Sequence, residues 1–506
     1  MAQSFYPIDL QGISFPMLSE QQTRTVIGSE VGKSPSEINR PGVAYCHNVM
    51  PSQYGYDSVG YLSVIPAFSS LPVGRSFVDT RVIFGDDKSR IDLAWDNEGS
   101  VYALLTGATA WIALPATSPA TGGPGFTSES VTTGTVNGVT YIFYSTIGAF
   151  TYNEGTDSLD SVTLTGISLA VTLGVVASSG YLVAYTDLAI AWSSTLDPTD
   201  FVPSMVTGSG GGNVAGTAGA ILFIVANTLG LLVYTAANTL AGTYTGNVQF
   251  PFKFREIEDS KGGISLDRVA YEANSPEQFV YSKAGLQSIT SRIAKTVLPE
   301  VTDFLAGRRL EDWDEATKAY IITDLAAGAT MLKKIKYVAS RYLVISYGVT
   351  SFTHALIFDT SLNRMGKLKT THVDAFEYIG AQTEISKESI AFLSATGVVQ
   401  VLDFSAATVS TGVLILGKLQ ATRTRLFTLL GIEVENAVSG DTLSVATQLS
   451  LDGKTMAAPV EGTVSITADQ LREYKFRATA KSHSIVFTGE FSLVTAQVRY
   501  TIAGRR

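Results

Sequence analysis

A β-rich run, a short break usually holding Gly, Asn or Asp, and a second run recur seven times along the middle of this chain. No other feature restricts its fold as much. The copies are Val101 to Leu114, Val139 to Tyr152, Tyr181 to Ser193, Ile221 to Tyr234, Phe279 to Ile289, Tyr342 to Phe358 and Ile390 to Leu402, with starts separated by 38, 42, 40, 58, 63 and 48 residues. A propeller blade takes four strands in about 40 to 50 residues, so the spacing leaves room for one more hairpin between successive units. The match is to a period, since no WD or Kelch fingerprint repeats. The expectation is an all-β chain with a β-propeller of about six to seven blades over residues 76–411.

A chain of 506 residues exceeds one ordinary core, and the flanks differ from the middle. After residue 412 the short unit gives way to longer alternating strands. Val494, Ala496, Val498, Tyr500 and Ile502 alternate with Thr495, Gln497, Arg499 and Thr501, so residues 412–506 read as a small β-sandwich. The first 75 residues carry Pro7, Pro16, Pro35, Pro41, Pro51, Pro66 and Pro72, and read as an irregular segment packing on the propeller or on a neighbouring subunit. One helix interrupts the pattern, as part of an insertion near residues 298–318. Pro299 suits a first turn, Val301, Phe304 and Leu305 share a face, and Gly307 can end it. It is either an insertion between blades or a docking element for a neighbour.

Charge is sparse and segregated. Charged residues make up 16% of the chain, against about 25% in a typical soluble domain. Between Arg90 and Lys253 lie 162 residues with no Lys or Arg and ten Asp or Glu. Residues 1–252 hold 7 basic and 18 acidic groups, a net of −11, while the second half is nearly balanced at +2, so the first half accounts for the overall −9. Asp157, Asp160, Asp187, Asp197 and Asp200 are therefore candidates for an acidic channel or for a subunit interface. Phe201 to Phe252 carries no charge at all, and Ala220 to Ala236 is apolar enough to raise a membrane span. Asn227, Thr228 and Gly230 at its centre favour a hairpin, and no stable membrane insertion is expected.

Several patterns that carry chemistry elsewhere fail here for stated reasons. The lone Cys46 excludes a disulfide framework and, beside His47, gives too few ligands for zinc. Met1 to Leu10 has no basic and apolar regions of a secretory signal. Only His47, His354, His372 and His483 could serve a nucleophilic triad, and no G-x-S-x-G elbow surrounds a serine. Gly208 to Gly212 lacks the lysine of a phosphate loop and reads as a flexible loop. Ser450 to Thr455 resembles one sialidase turn box, but a single copy reads as an Asp-Gly turn. Glu311, Asp312, Asp314 and Glu315 read as a solvated acidic turn, since neighbours in sequence do not face each other across a glycosidic bond. Lys333, Lys334 and Lys336, with Arg341, read as a solvated strand edge, and the acidic balance opposes tight nucleic-acid binding. The chain is expected to be no enzyme, with no catalytic, cofactor or metal residues.

Several passages resemble the tail hub, or nozzle, proteins of short-tailed bacteriophages. His47-Asn48-Val49-Met50-Pro51 followed by Gly60-Tyr61-Leu62-Ser63-Val64-Ile65-Pro66 is similar to their N-terminal pattern. Trp192, Ser193, Asp197, Pro198 and Phe201, leading into the glycine loop, resemble a passage of phage tail and virion proteins. Gly262-Gly263-Ile264 and Val280 to Leu286 resemble a blade of that family, and the C-terminal strands fit its closing β-domain. The resemblance implies a homohexameric ring below the portal and head-to-tail adaptor. Such a ring continues the DNA-ejection channel, passes genomic DNA without sequence-specific binding and anchors a fibre, spike or needle in the virion. This chain is shorter than the larger nozzle proteins, so their extra fibre-docking domains are expected to be absent. The alternative reading is a carbohydrate-binding or glycan-cleaving propeller tail protein. A cell-surface adhesin is a third, opposed by the missing secretory signal.

Overall fold

Seven four-stranded antiparallel units surround a central cavity in the computed structural model. The structure describes residues 4–8, 25–26 and 43–502, the last span without 116–125, 128, 130, 146, 229, 272–276, 291, 307–308, 315, 318, 327–328, 381–388, 406, 421–425, 437–442, 451–458 and 467–470. Blade one is Phe77–Phe84, Arg90–Asp96, Val101–Leu105 and Ile112–Ala113. Blade two is Val131–Val136, Val139–Tyr144, Gly148–Asn153 and Ser158–Val162. Blade three is Gly174–Ser178, Tyr181–Tyr185, Ala189–Trp192 and Gly210–Asn213. Blade four is Ile221–Asn227, Gly230–Thr235, Thr239–Tyr244 and Phe252–Glu256. Blade five is Val269–Ala270, Gln278–Ser282, Gly285–Ile289 and Ala294–Thr296. Blade six is Leu332–Val338, Tyr342–Gly348, Phe352–Asp359 and Arg364–His372. Each of the seven repeat units falls in a different blade, so the fold is an all-β propeller.

The seventh blade is built from both ends of the propeller's chain. Asp374–Glu377, Ile390–Leu393 and Val399–Asp403 supply three strands, and Gly60–Ile65 pairs antiparallel with Val399–Asp403 as the fourth. This corrects the expected irregular segment 1–75. The prolines shorten strands without preventing them: Pro51 ends Val49–Pro51, and Pro66 follows the closing strand. Strand ends and edges tolerate a residue with no N–H to donate.

Two local devices build the blades. Asn137-Gly138 and Ser179-Gly180 join first to second strands in blades two and three with both residues at positive φ, between 54° and 84°. Two-residue hairpins of this hand match strand twist, and the second position needs glycine or a residue that tolerates left-handed backbone. The turn from second to third strand is tied by a side-chain oxygen at the strand's end. Asp96 accepts from the backbone N–H groups of Glu98 and Ser100, Thr186 from Leu188 and Ala189, Thr235 from Ala237 and Asn238, Ser282 from Ala284, and Ser394 from Thr396 and Val398. One function, filled by Asp, Thr or Ser, thus recurs in five blades.

Between blades five and six stand the helix Pro299–Ala306 and the hairpin Arg309–Asp314 with Ala319–Asp324. Val301 and Leu305 are buried in the core shared with Phe279, Leu286, Leu343 and Tyr347, and Phe304 meets Tyr347 edge-on at 5.3 Å. The helix spends its apolar face on its own blades, against the docking-element reading. Gly307 lies outside the described residues.

Residues from 412 onward form two packed sheets with strands from the N-terminus. Phe427–Asn436 lies between Leu471–Ala480 and Ser492–Ile502, and Ser4–Ile8 pairs with the latter. In the second sheet Ser482–Gly489 pairs with Ser444–Ser450 and Gly412–Leu416, and Val43–His47 pairs with Gly412–Leu416. Cys46, Tyr56, Leu414, Phe427, Ile432, Tyr474 and Phe487 fill the space between them. Burial pushes the Cys46 thiol up to about 12, so it behaves as a small apolar residue. Val49–Pro51 pairs with blade six on one side and with Tyr56–Ser58 on the other, joining blade six and the first sandwich sheet in one 11-stranded sheet.

Candidate functional site

The innermost strands of all seven blades line a cavity of about 400 Å³. Its charged groups answer one another. Arg90 Nη1 lies 3.2 Å from Glu377 Oε2, and Arg81 Nη1 is 3.4 Å from the Tyr271 hydroxyl. Beside the cavity, where blades six and seven meet blade one, sits a buried ion cluster. Lys334 Nζ is 2.7 Å from Asp79 Oδ1 and 3.0 Å from Asp374 Oδ1, and Lys336 Nζ is 3.2 Å from Asp374 Oδ2. Arg81 Nε stands 3.0 Å from Asp79 Oδ2, while Thr80 donates to Asp374 through its N–H and its hydroxyl. Burial works against the Asp79 anion, but Lys334, Lys336 and Arg81 hold its carboxyl well below the usual range. Nearby, burial pushes the Asp92 carboxyl up to about 7. The basic run is thus no solvated edge. Lys334 and Lys336 point to the same side of an innermost strand, and Lys334 is buried.

The Trp192 passage organises one long loop between the third and fourth strands of blade three. The Trp192 indole N–H donates to the Gly208 carbonyl at 2.9 Å, and the buried Ser193 hydroxyl accepts from the Leu182 N–H. Asp197 caps Thr199 and Asp200 caps Val202. Pro198 is half-buried, and Phe201 is buried among Leu164, Val175 and Leu182. The polar side chains of this passage hold loop backbone, and Phe201 anchors it in the core. Gly210–Asn213 corrects the flexible-loop reading of the glycine run: it is the outer strand of blade three, paired with Ala189–Trp192.

None of Asp157, Asp160, Asp187, Asp197 and Asp200 lines the cavity. Asp157 accepts from the Tyr152 hydroxyl, Asp160 sits on the exposed outer strand of blade two, and Asp187 is in an exposed turn of blade three. A channel inside the propeller is therefore not what they form. Blades follow the chain in order, so a sequence stretch without Lys or Arg becomes a sector of the disc. Blades two and three lie wholly inside it.

The carboxylates of the insertion are on a strand, which corrects the acidic-turn reading. Asp312 Oδ2 is 2.5 Å from Lys369 Nζ, and its Oδ1 is 3.8 Å from both His47 Nδ1 and His354 Nε2. Burial drives His47 down to about 3, lowers His354, and drives His372 and His483 to about 4, so all four histidines stay neutral at pH 7. Lys367 is buried, donates to the Glu311 carbonyl at 2.7 Å and is pushed down to about 8 by burial. Glu315 and residues 451–458 lie outside the described residues. Among the described residues no group of three or more His, Cys, Asp or Glu could hold a metal ion, and no helix is long and apolar enough to cross a membrane. Ala220 to Ala236 is covered by the first two strands of blade four and their turn.

Fold and cavity together define a seven-bladed propeller fused through a shared sheet to a β-sandwich. Solved structures similar to it include the extracellular domain of a putative one component system from B. thetaiotaomicron, at 8% identity and a TM-score of 0.41 over 92% of this chain and 64% of that one. The WD40 propeller domain of Doa1 follows at 10% identity and 0.38, over 69% of this chain and 98% of that one. YCF48 bound to D1 peptide gives 12% and 0.35, over 68% of this chain and all of that one. The chain spans about 64% of the length of the first of these. No family model and no curated protein matches the sequence.

Proposed function

We propose that this chain is a structural subunit of a short-tailed phage virion and no enzyme. In this reading it forms a ring-shaped tail hub or nozzle below the portal and adaptor, continues the DNA-ejection channel and anchors distal tail parts. The observation that carries the reading is the one-signed stretch of blades two and three. Of the ten carboxylates between Arg90 and Lys253, seven lie from Glu129 to Asp200 with no Lys or Arg among them, while Asp92, Asp96 and Glu98 belong to blade one and stand beside Arg90 and Arg75. Repeated around an axis, such a sector gives DNA no cation to grip, because phosphate neutralisation is the main source of that affinity. The propeller's own cavity is too small for a duplex whose major groove alone is about 12 Å wide. The DNA path in this reading is the opening enclosed by several copies, to which the field of the acidic sector reaches only over about 8 Å. The 11-stranded sheet shared by blade six and the sandwich ties the two domains directly together, which suits a part that transmits force.

Mass photometry of the full chain, alone and with portal-adaptor complex, tests the proposal. Rings of six copies that bind the complex support it. A stable monomer that ignores the complex, or cleavage of host polysaccharide abolished by replacing one or two carboxylates, contradicts it.

A further inference from the structure

Two adjacent loops carry an apolar surface that the propeller does not use. In the blade-three loop, Leu196, Met205 and Val206 are 82%, 78% and 93% exposed, and in the blade-four loop between Tyr244 and Phe252, Phe250 is 67% exposed. The loops touch, since Val248 lies against Gly208. Exposed aliphatic side chains on a mobile tip would mean little, but both loops are tied internally. The Gly208 N–H donates to the Ser204 carbonyl at 2.9 Å and Thr195 to Thr207, in addition to the indole bond of Trp192. Across the blade-four loop the Thr245 N–H donates to Pro251 at 2.8 Å, and its hydroxyl donates to Phe250 at 2.6 Å. A surface ordered before it meets a partner has little entropy left to lose on binding. Clustered apolar side chains of this kind mark an interaction site.

The flanks identify the partner. Asp197 and Asp200 stand on the blade-three side. On the blade-four side exposed Lys253 and Arg255 stand nearest the loop, with Glu256 farther along the strand accepting from Asn238, and no charge lies between Phe201 and Phe252. Anionic lipid or nucleic acid would meet the aspartates. A copy of the same surface, displaced sideways, sets an acidic flank on a basic one and apolar on apolar.

We propose that this platform docks a second copy of the chain, the blade-three loop of one copy seating against the blade-four loop and its basic flank in the next. The inference supplies the contact surface for the ring reading above and rests on it for the number of copies only.

Buried Cys46 makes the test specific, because Val206→Cys then provides an accessible thiol on the platform. The full chain carrying Val206→Cys, labelled with benzophenone-maleimide and irradiated, is expected to crosslink copy to copy with products inside residues 244–255. Val206→Asp and Phe250→Asp are expected to weaken self-association at least about tenfold, and Lys253→Glu to weaken it less, with melting temperatures unchanged because these side chains face solvent. Crosslinks elsewhere on the chain overturn the inference. So does a monomer whose label stays open to a water-soluble quencher, or capture by anionic vesicles in place of a second copy. Rings that persist in both aspartate variants also overturn it while leaving the ring reading standing. Closed pairs crosslinked through the platform sustain it and contradict a ring of six.

Discussion

The seam where blades six and seven meet blade one and the sector of blades two to four solve the same packing problem with different chemistry. At the seam Asp79, Lys334, Lys336, Asp374 and Arg81 bury opposite charges beside the cavity. In blades two to four the neighbours meet through apolar side chains such as Phe143, Val175, Leu182, Ile224, Val233 and Leu240, with hydroxyls and small polar groups at the turns. A buried ion pair gains little over a well-packed apolar contact, but losing one partner is costly because the other charge stays behind. The seam is thus the place where register matters most. Blade seven has its first three strands at one end of the propeller sequence and its fourth at the other, and an unmatched charge there penalises wrong closure.

Lys334→Met leaves Asp79 and Asp374 with less compensation and is expected to destabilise the chain by about 3 to 5 kcal/mol, read as a fall in denaturation midpoint. A loss below about 1 kcal/mol would remove the distinction between the two regions. The histidines come next. His47, His354, His372 and His483 are neutral in the folded chain and titrate near 6.5 when unfolded, so the unfolded state takes up protons first. Stability from these groups is full above pH 6.5 and falls as the pH drops below it, by about 1.4 kcal/mol per pH unit for each of His47, His372 and His483 down to about pH 4, with His354 acting in the same direction. None of the four lies in blades two to four, so hydrogen exchange at pH 5 is expected to open blade six and the sandwich before that sector. Trp192→Phe keeps the ring and loses the bond to Gly208, at a cost of about 1 to 2 kcal/mol, visible as faster exchange confined to residues 193–209. The smallest effect belongs to Thr186→Ala, about 0.5 to 1 kcal/mol by analogy with helix caps, while Asp96→Ala costs more because the buried Asp96 also pairs with Arg75 at 3.1 Å.

What could be read in the sequence follows from which strands are covered on both faces. Second strands such as Tyr181–Tyr185 and Ile390–Leu393 are buried throughout, sandwiched between neighbouring blades, and stand out as apolar runs. Outer strands such as Ile112–Ala113 and Gly210–Asn213 are short or exposed, and Gly210–Asn213 reads as a loop. The closing strand Gly60–Ile65 was hidden differently: its partner is more than 300 residues away, and its own pattern is half exposed. The ion cluster left one legible trace, Lys334 and Lys336 two apart on either side of Ile335. Asp79 and Asp374 meet them only through propeller closure, so the run reads as solvated. The Asp, Thr and Ser that tie five blade turns form a repeat in role rather than in residue type, which no residue-level fingerprint detects. The Trp192 to Phe201 passage stood out by its residue types alone, and in the structure its polar side chains tie one loop while Phe201 packs into the core.

Cryo-electron microscopy of the full chain bound to the portal-adaptor complex tests the architectural reading most directly. The expected result is six copies around the channel axis, with the propellers surrounding a common opening rather than threading DNA through their own cavities, and with the loops of blades three and four buried between copies. A single copy per portal, or a map in which this chain is absent from the axis, would contradict it.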